Sequence, residues 1–255
     1  MSKLNDLLML ERKPAFSCPD DPCQFKDKIL LMTTTRNHLK FLKKTMVCLQ
    51  AVLAHRPDAF LVIIDNASEQ DVVDYLTTLS SPQIEVDLLK TNNGRAVAHN
   101  SYLQQVVHAD NQPSVIFSVD PDITFSVEDF DRLIDAVINL KRIGMLSMRY
   151  VNNACNPESR LNRPPRLMRG KTGKQYAISV PSFSNVAGGI FAIRGDIVIK
   201  RLKGRLFPKK SFALYINDDG ALHDALRKRF YINGYLEGTS AKHYKSGNII
   251  LNDEE

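Results

Sequence analysis

Short apolar segments alternate with segments of helical periodicity along most of this chain, and this alternation restricts the fold more than any other feature. The strand-like segments cover residues 29–34, 60–65, 84–89, 115–119 and 145–150. The helical segments cover residues 38–55, 68–79, 94–108 and 127–140, and Ser68 is positioned as an N-cap of the second. Strands joined by helices form right-handed crossovers around a sheet covered on both faces. The sequence therefore predicts an α/β, Rossmann-like domain with a central mixed, mainly parallel sheet flanked by helices.

The alternation stops in residues 151–177, which are rich in Arg, Pro and Asn. We expect a long loop there, either a lid or a solvated segment. Beyond it come an apolar segment, a basic stretch, a strand, a helix and a last strand, at 186–193, 200–210, 212–216, 220–230 and 231–238. No internal repeat is present. We therefore expect one domain at 27–245, an N-terminal extension at 1–26 with a short amphipathic helix, and a C-terminal tail at 246–255.

The composition, 44% hydrophobic and 24% charged, is typical of a soluble globular protein. No apolar segment approaches the roughly 20 residues that span a bilayer, and the N-terminus lacks the apolar core of a secretory signal. A cytoplasmic location is the resulting expectation. The four cysteines, Cys18, Cys23, Cys48 and Cys155, lack the paired spacing of a zinc site and are expected to be reduced thiols.

The formal net charge of +6 favours an anionic partner such as nucleotide phosphate, phospholipid or an acidic acceptor. Nucleic acid is not expected as a partner, because the chain has neither zinc-finger spacing nor an aromatic RNA-binding motif. The basic stretch 200–210 is predicted either to contact the acceptor or a membrane surface, or to form an exposed basic face.

Carboxylates follow directly after the fourth predicted strand, in Asp120-Pro121-Asp122. In an open α/β sheet, ligands bind beyond the carboxyl ends of the strands. Two carboxylates at that position can bind one Mg²⁺ or Mn²⁺ ion that also contacts diphosphate oxygens. A turn or helix cap is the alternative. A second triplet, Asp129-Phe130-Asp131, lies inside a predicted helix and is expected only to cap or solvate it.

Three further positions carry candidate site residues. Asp65 ends the second strand and could accept hydrogen bonds from a base or a ribose, or cap the next helix. Asn93 and Arg95 open the third helix, where backbone N–H groups and a guanidinium could meet phosphate. Asp218 and Asp219 precede a helix, so that each could be a general base or a cap.

Six segments of the chain, taken in order, resemble the inverting glycosyltransferases of family 2, which have the GT-A fold. They are TTTRNHLKFLKKTMVCL, VIIDNAS, NNGRAVAHNSYL, FSVDPDI, VAGGIFAIR and NDDGALHDALRKRFYINGYL, and they span roughly residues 28–245. The resemblance implies transfer of a sugar from a nucleoside diphosphate sugar to a hydroxyl of a glycan or lipid-linked acceptor, as in polysaccharide biosynthesis. It favours UDP as the carrier and Mn²⁺ or Mg²⁺ as the cofactor.

The resemblance also implies a role for each matching residue. The residues that would line the nucleotide-sugar pocket are Thr34, Arg36, Asp65, Asn93, Arg95, Asn100, Asp120, Gly188 and Gly189. The metal would be bound by Asp122 directly, by Asp120 through water or directly, and by His243. Asp219 would be the catalytic base. Two departures from the family pattern stand out: Asp218 takes the place usually held by Glu, which leaves open which Asp is the base, and His99 stands where many relatives have Arg.

Other functions fit the sequence less well. A sugar nucleotidyltransferase would have a Gly-rich loop with Arg and Lys after the first strand, where this chain has Thr33-Thr34-Thr35-Arg36-Asn37. A dinucleotide-dependent dehydrogenase would have GxGxxG after a strand, and none is present. A non-catalytic nucleotide-sugar-binding partner is a third alternative, which the retained Asp120, Asp122 and Asp219 count against.

Overall fold

The structure is a computed structural model, and it describes residues 24–79, 81–151, 163–181, 185–208, 218–246 and 249–250. The helices are α1 (Leu39–His55), α2 (Gln70–Thr77), α3 (Gly94–Val106), α4 (Val127–Asn139), α5 (Gly195–Leu202) and α6 (Asp218–Arg227). The strands are β1 (Ile29–Thr35), β2 (Ala59–Asn66), β3 (Ile84–Leu89), β4 (Val115–Val119), β5 (Ile123–Phe125), β6 (Ile143–Tyr150), β7 (Arg166–Arg169), β8 (Gln175–Ser179), β9 (Ile190–Arg194), β10 (Ile232–His243), β11 (Lys245–Ser246) and β12 (Ile249–Ile250).

One large sheet has the strand order β3-β2-β1-β4-β9-β6-β10-β8-β7, and β5 pairs with β10. Strands β3, β2, β1 and β4 run parallel, as do β6 and β10. Between these two groups, β9 runs antiparallel to both β4 and β6. The predicted α/β fold with a mixed sheet flanked by helices is therefore confirmed. Strand order reverses between β1 and β4, and a crevice for ligands forms at such a point in open α/β sheets.

The sheet is buried on both faces. Leu31 and Phe117 point into a core shared with Phe130 of α4, whereas Leu30 and Ile116 point into a core on the other face. Because both faces are covered, the central strands are continuous apolar segments and show no polar alternation. This burial explains why their positions were evident from the sequence.

The prediction of a loop through residues 151–177 is wrong for its second half, which forms an antiparallel hairpin of β7 and β8. The turn of this hairpin contains Gly173 at φ 86°. Strand β7 is the outermost strand of the sheet and is mostly exposed, so that it has no buried face to produce an apolar pattern. The prediction that Ser68 caps α2 is also wrong. The N-cap is Glu69, and Ser68 Oγ instead accepts a hydrogen bond from the Asn37 N–H at 2.8 Å.

Some sequence predictions fall outside the described residues: the N-terminal amphipathic helix, the strand at 212–216, residues 152–162 of the expected loop, and Cys18, Cys23 and Cys155. The remaining cysteine, Cys48, is a free thiol. Among the helices that the structure describes, none combines the length and apolar character needed to cross a membrane.

Candidate active site

Asp120, Pro121 and Asp122 connect β4 to β5 and are held on two sides by backbone hydrogen bonds. The Asp120 N–H donates to the Gly189 carbonyl at 2.7 Å, and the Tyr244 N–H donates to the Asp122 carbonyl at 2.9 Å. Gly189 directly precedes β9 and Tyr244 directly follows β10. The loop therefore lies where the ends of β4 and β10 meet the start of β9, at the rim of the sheet.

Arg95, in the first turn of α3, joins this loop to the start of α6. Its Nη1 donates to Asp120 Oδ1 at 2.7 Å and to the Gly188 carbonyl at 2.9 Å. Its Nε and Nη2 donate to the two carboxylate oxygens of Asp218 at 2.9 and 2.6 Å. These side chains are only 19–28% exposed. Arg95 thus binds two acidic segments that lie about a hundred residues apart in the chain. Because of this separation, no local sequence pattern shows that they are neighbours in the fold.

The two carboxylates that Arg95 binds differ in acidity. The pKa of Asp120 is raised to about 6, mainly by burial and also by the charge of nearby Asp122, although the Arg95 guanidinium opposes the rise. Burial also acts to raise the pKa of Asp218, but the charge and hydrogen bonds of Arg95 outweigh it and hold that pKa below its ordinary value. Asp218 is therefore held as a carboxylate and is a weak proton acceptor.

Asp122 faces His243 at the end of β10. Asp122 Oδ1 and His243 Nε2 are 3.3 Å apart, and both side chains are at most 15% exposed. The Tyr150 ring packs beside the His243 ring at 5.4 Å between centroids. In the part of the chain that the structure describes, no three His, Cys, Asp or Glu side chains form a group that could hold a metal ion by themselves. The sequence proposed three metal ligands, whereas the structure pairs Asp122 with His243 and engages Asp120 with Arg95.

Asp219, the second residue of α6, is fixed by two backbone groups. Its Oδ2 accepts a hydrogen bond from the Gly188 N–H at 3.0 Å, and its Oδ1 accepts one from the Gly220 N–H at 2.9 Å. Gly188 is also the residue whose carbonyl binds Arg95. Asp219 therefore lies next to the Arg95 network without binding the guanidinium itself.

Gly188 and Gly189 are needed for close packing within the site. A Cβ atom at Gly188 would lie 2.2 Å from Asp219 Cβ, and one at Gly189 would lie 2.7 Å from the Tyr150 hydroxyl and 3.2 Å from Asp120 Oδ2. Real Cβ atoms essentially never lie within 3.0 Å of another atom, and 3.2 Å is tighter than most Cβ contacts. From the sequence we expected these glycines to let the backbone approach the donor or acceptor. The structure shows a second reason for glycine at both positions, because the site's own side chains pack closely against them.

Unpartnered polar atoms gather at the ends of β1 and β2. Asp65 is 1% exposed; its Oδ2 accepts a hydrogen bond from the Ser68 N–H at 3.1 Å, and its Oδ1 has no hydrogen-bond partner among the residues that the structure describes. Burial raises the pKa of Asp65. Within the same described residues, the Thr34 and Thr35 hydroxyls are also buried without a hydrogen-bond partner, and Thr35 pairs with Asp65 in the sheet register. Buried polar groups are normally satisfied, so this cluster is a candidate for ligand binding. Arg36, the next residue, is exposed.

Asparagines tie the end of β2 to the start of α3. Asn66 Oδ1 accepts a hydrogen bond from the Asn93 N–H at 2.9 Å, and the Asn66 amide donates to Asn92 Oδ1 at 2.8 Å. Asn92 Oδ1 also accepts from the Gly94 N–H at 3.1 Å, where Gly94 adopts φ 74°. Asn93 was a candidate from the sequence, whereas the hydrogen bonds by which Asn66 and Asn92 hold the start of α3 could not be predicted.

The Asn100 side chain, predicted to lie near the nucleotide, binds the backbone of Phe207 instead. Its amide donates to the Phe207 carbonyl at 2.7 Å, and its oxygen accepts from the Phe207 N–H at 3.0 Å. The Phe207 ring in turn packs against the Arg95 guanidinium at 5.3 Å and against His99 at 5.7 Å. Asn100 thus positions the ring that supports Arg95, and no sequence signal pointed to Phe207.

His99 is fully buried beneath the Arg95 network. Its Nδ1 lies 3.2 Å from the Arg95 carbonyl, and its Nε2 has no hydrogen-bond partner in the described part of the chain. Burial, together with the nearby Arg95 charge, lowers the pKa of His99 to about 3. The imidazole is therefore neutral at physiological pH, and its Nδ1–H donates to the carbonyl.

We expect His99 to make the folded state sensitive to acid. Because its pKa is lower in the folded state than in the unfolded state, the unfolded state binds more protons between pH 6.5 and about 3, and stability falls as pH falls through that window. From pH 7 to pH 5 this contributes a loss of about 2 kcal/mol in the free energy of unfolding. Urea unfolding of the wild type and of His99→Phe at both pH values measures the difference.

In that experiment the loss between pH 7 and pH 5 should be about 2 kcal/mol smaller for His99→Phe than for the wild type. Replacement of the exposed His108 by phenylalanine, just beyond α3, should leave the wild-type profile in place. Identical pH profiles for wild type and His99→Phe would show that the buried imidazole does not control acid sensitivity.

The sequence around much of this site matches a known family. The family model described as Glycosyl transferase family 2 matches residues 31–202, more than half of the chain. The chain belongs to glycosyl transferase family 2. The matched range contains the Asp120–Asp122 loop, Arg95 and the two glycines before β9. No curated protein matches the chain in sequence.

Solved glycosyltransferase structures share the fold of this family 2 chain. The mannosyltransferase PcManGT from Pyrobaculum calidifontis, in complex with GDP-Man and Mn²⁺, has a TM-score of 0.62 at 14% identity over 96% of this chain and 64% of its own. GalNAc-T7 with UDP, GalNAc and Mn²⁺ has a TM-score of 0.60 at 10% identity over 87% of this chain and 44% of its own. TarS 1–349 of S. aureus in complex with UDP-GlcNAc has a TM-score of 0.60 at 14% identity over 89% and 61%.

At these identities the similarity establishes the GT-A fold alone. The chain spans 44% to 64% of the length of these three structures. In this chain a buried neutral imidazole, His99, lies one helical turn after Arg95, whose guanidinium binds both acidic segments.

Proposed function

We propose that this family 2 chain transfers a sugar from a nucleoside diphosphate sugar, with UDP favoured, to a hydroxyl group of a glycan or lipid-linked acceptor, with inversion at the anomeric carbon. One observation carries this proposal: Arg95 binds Asp120 and Asp218 at once, so that acidic segments from β4 and α6 share one site. A donor and an acceptor must be held side by side for a single displacement. Convergence of these segments at the rim of the sheet supports such a site.

The nucleoside end of the donor is assigned to the ends of β1 and β2. Within the described residues, Asp65 retains an unpartnered carboxylate oxygen there, Thr35 beside it in the sheet register retains an unpartnered hydroxyl, and so does Thr34 at the same strand end. A base N–H or a ribose hydroxyl would satisfy that oxygen. Arg36 lies beside this cluster, and Asn93 and Arg95 open α3, where backbone N–H groups favour diphosphate oxygens.

The facing pair of Asp122 and His243 fits a divalent cation, Mn²⁺ or Mg²⁺. A carboxylate oxygen and an imidazole nitrogen 3.3 Å apart can both bind one ion, leaving its other positions for water and diphosphate oxygens. When bound, the cation offsets the negative charge that develops on the diphosphate leaving group. The complexes of PcManGT and GalNAc-T7 contain Mn²⁺ and support this assignment for the present chain.

Asp219 is assigned as the base that accepts the proton of the acceptor hydroxyl. Asp218 is a poor candidate, because both of its carboxylate oxygens bind Arg95 and its pKa is lowered. The Asp219 oxygens each accept one backbone hydrogen bond and keep a further lone pair for an acceptor hydroxyl. Asp218 is then a positioning residue, which holds the start of α6 against Arg95.

Replacement of Asp122 by alanine tests the metal site. We expect Asp122→Ala to weaken Mn²⁺-dependent binding of UDP by about 10- to 100-fold, because one of the two assigned ligands is lost. Calorimetric titration with UDP, with and without Mn²⁺, measures this. The control is Asp131→Ala, which removes a carboxylate of the helical triplet that pairs with Arg56 at 2.8 Å. Wild-type binding that is equally strong without metal would contradict the assignment.

A transfer assay separates the proposed reaction from nucleotidyl transfer. Incubation with UDP-sugars and Mn²⁺ should release UDP, with water as a slow acceptor when no other is present. Release of pyrophosphate in the presence of a sugar phosphate and a nucleoside triphosphate would instead identify a sugar nucleotidyltransferase. Binding of UDP-sugar with no release of UDP under any condition would indicate a non-catalytic binding protein.

A further inference from the structure

The C-terminal ends of α5 and α6 lie side by side and form a surface that the proposed reaction does not use. Lys200, Arg201, Lys228, Arg229, Phe230 and Tyr231 line an open depression of about 500 Å³ there. We call these six residues the basic face. Leu202 and Tyr231 pack from the two segments against the same core, which fixes the segments relative to each other.

The basic face lies at the far end of α6 from the candidate active site. Helix α6 begins at Asp218, within the Arg95 network, and its ten residues correspond to about 15 Å of helix. Tyr231 precedes the start of β10, whereas His243 is at its end. A ligand at the basic face would therefore leave the candidate active site open.

The charges of the basic face are not neutralised within the described part of the chain, where none of its four cations forms an ion pair. The Arg229 side chain donates to the uncharged Ala225 carbonyl at 2.8 Å. Nearby Asp196 is already paired with Arg194 at 2.9 Å. Cations at helix C-termini do offset the helix dipole, and this effect alone would account for some of them.

The helix dipole does not account for Phe230, which is 82% exposed. Its backbone adopts φ 62°, in the turn that ends α6, where the Tyr231 N–H donates to the Leu226 carbonyl at 3.2 Å. Glycine is the usual residue at such a position, because a side chain there is strained. Within the described residues, the Phe230 ring stacks on no other ring. The Phe230 backbone is thus strained, and its large apolar ring is exposed to solvent. Such strain commonly marks a functional position.

We infer that the basic face docks this protein on the surface of an anionic phospholipid bilayer. The four cations would lie against the headgroup phosphates, and the Phe230 ring would enter the boundary between headgroups and acyl chains. A soluble phosphate or an acidic polymer would use the cations but would give no burial to the ring. The combination of charge and exposed aromatic surface therefore favours a bilayer.

Vesicle co-sedimentation without nucleotide or metal tests this inference independently of the proposed function. Wild-type protein should bind vesicles of phosphatidylcholine mixed with phosphatidylglycerol and should not bind phosphatidylcholine alone. The binding should fall steeply between about 0.1 M and 1 M salt, because screening shortens the reach of surface charges. Failure to bind the anionic vesicles at low salt overturns the inference.

Phe230→Gly is the most informative single variant. It removes the ring and places at φ 62° the residue that the turn favours, so that the melting temperature should stay the same or rise by about 2 °C. Binding to the anionic vesicles should nevertheless fall by about 5- to 10-fold. Unchanged binding would show that the ring does not enter the bilayer.

A matched pair of charge reversals tests where the electrostatic contact lies. Lys200→Glu combined with Lys228→Glu should weaken vesicle binding by at least about 10-fold. Lys43→Glu combined with Lys90→Glu changes two exposed lysines elsewhere by the same net charge and should stay within about 2-fold of wild type. Equal losses in the two variants would mean that overall charge, and not the basic face, attracts the bilayer, and would overturn the inference.

Discussion

Replacing Arg95 by methionine is expected to lower the free energy of unfolding by about 3 kcal/mol. This is the lower end of the range for breaking buried ion pairs, because the side chains of Arg95, Asp120 and Asp218 are 19–28% exposed. The loss arises because Asp120 and Asp218 remain mostly buried without their shared cation. Binding of UDP should weaken as well, because the Asp120–Asp122 loop loses its link to α6. Urea unfolding and calorimetric titration measure the two effects.

Two further variants define the cause of that loss. Arg132→Met removes a guanidinium that is 54% exposed, lies 3.8 Å from Asp129 and donates to the Gly238 carbonyl, and it should change stability by no more than about 1 kcal/mol. Adding Asp218→Asn to Arg95→Met should recover part of the lost stability, because it removes a buried charge that no longer has a partner. If Arg95→Met unfolds at the same urea concentration as wild type, Arg95 does not hold the two acidic segments together.

Replacing Asp219 by asparagine is expected to reduce the rate of sugar transfer by roughly 10³-fold, within the range usual for loss of a general base. The amide has nearly the shape of the carboxylate, and its oxygen can still accept from the Gly188 N–H, whereas the hydrogen bond from the neighbouring Gly220 N–H is lost. Donor binding should therefore stay close to the wild-type value. A transfer assay at saturating donor, with binding measured separately, distinguishes lost chemistry from lost affinity.

Asp224→Asn is the matched control for this prediction. Asp224 lies on the same helix, is exposed, and is remote from the Arg95 network. Its replacement should leave the transfer rate within about 2-fold of wild type. Normal turnover by the Asp219→Asn variant would show that Asp219 is not the catalytic base. Asp218 would then be the candidate for that role.

The central strands and helices could be predicted from the sequence because they are buried on both faces of the sheet. Burial produces long apolar segments such as that of β2, every residue of which is buried. The hairpin of β7 and β8 could not be predicted in the same way. Its outer strand, Arg166–Arg169, has no buried face, and its position in the sheet depends on pairing with distant β10 through β8.

The site could be predicted in part. Asp120 and Asp122 come directly after a buried strand, β4. Their position at the rim of the sheet could therefore be predicted from the position of that strand. The roles of Arg95 and Asn100 did not follow, because both depend on contacts more than a hundred residues away, with Asp218 and with Phe207. The helical periodicity of α3 shows which of its faces is buried. It does not show which distant residues the polar side chains on that face will contact.

Thermal unfolding in the presence of UDP and Mn²⁺ is the most direct test that the strand-end carboxylates bind a nucleoside diphosphate through a cation. With UDP about 100-fold above its dissociation constant, we expect the melting temperature of the wild type to rise by about 5–10 °C. The rise should require Mn²⁺ or Mg²⁺ and should be greatly reduced in Asp122→Ala. A melting temperature that stays constant with UDP, GDP and dTDP, each tested with Mn²⁺, would show that these carboxylates do not bind a nucleoside diphosphate.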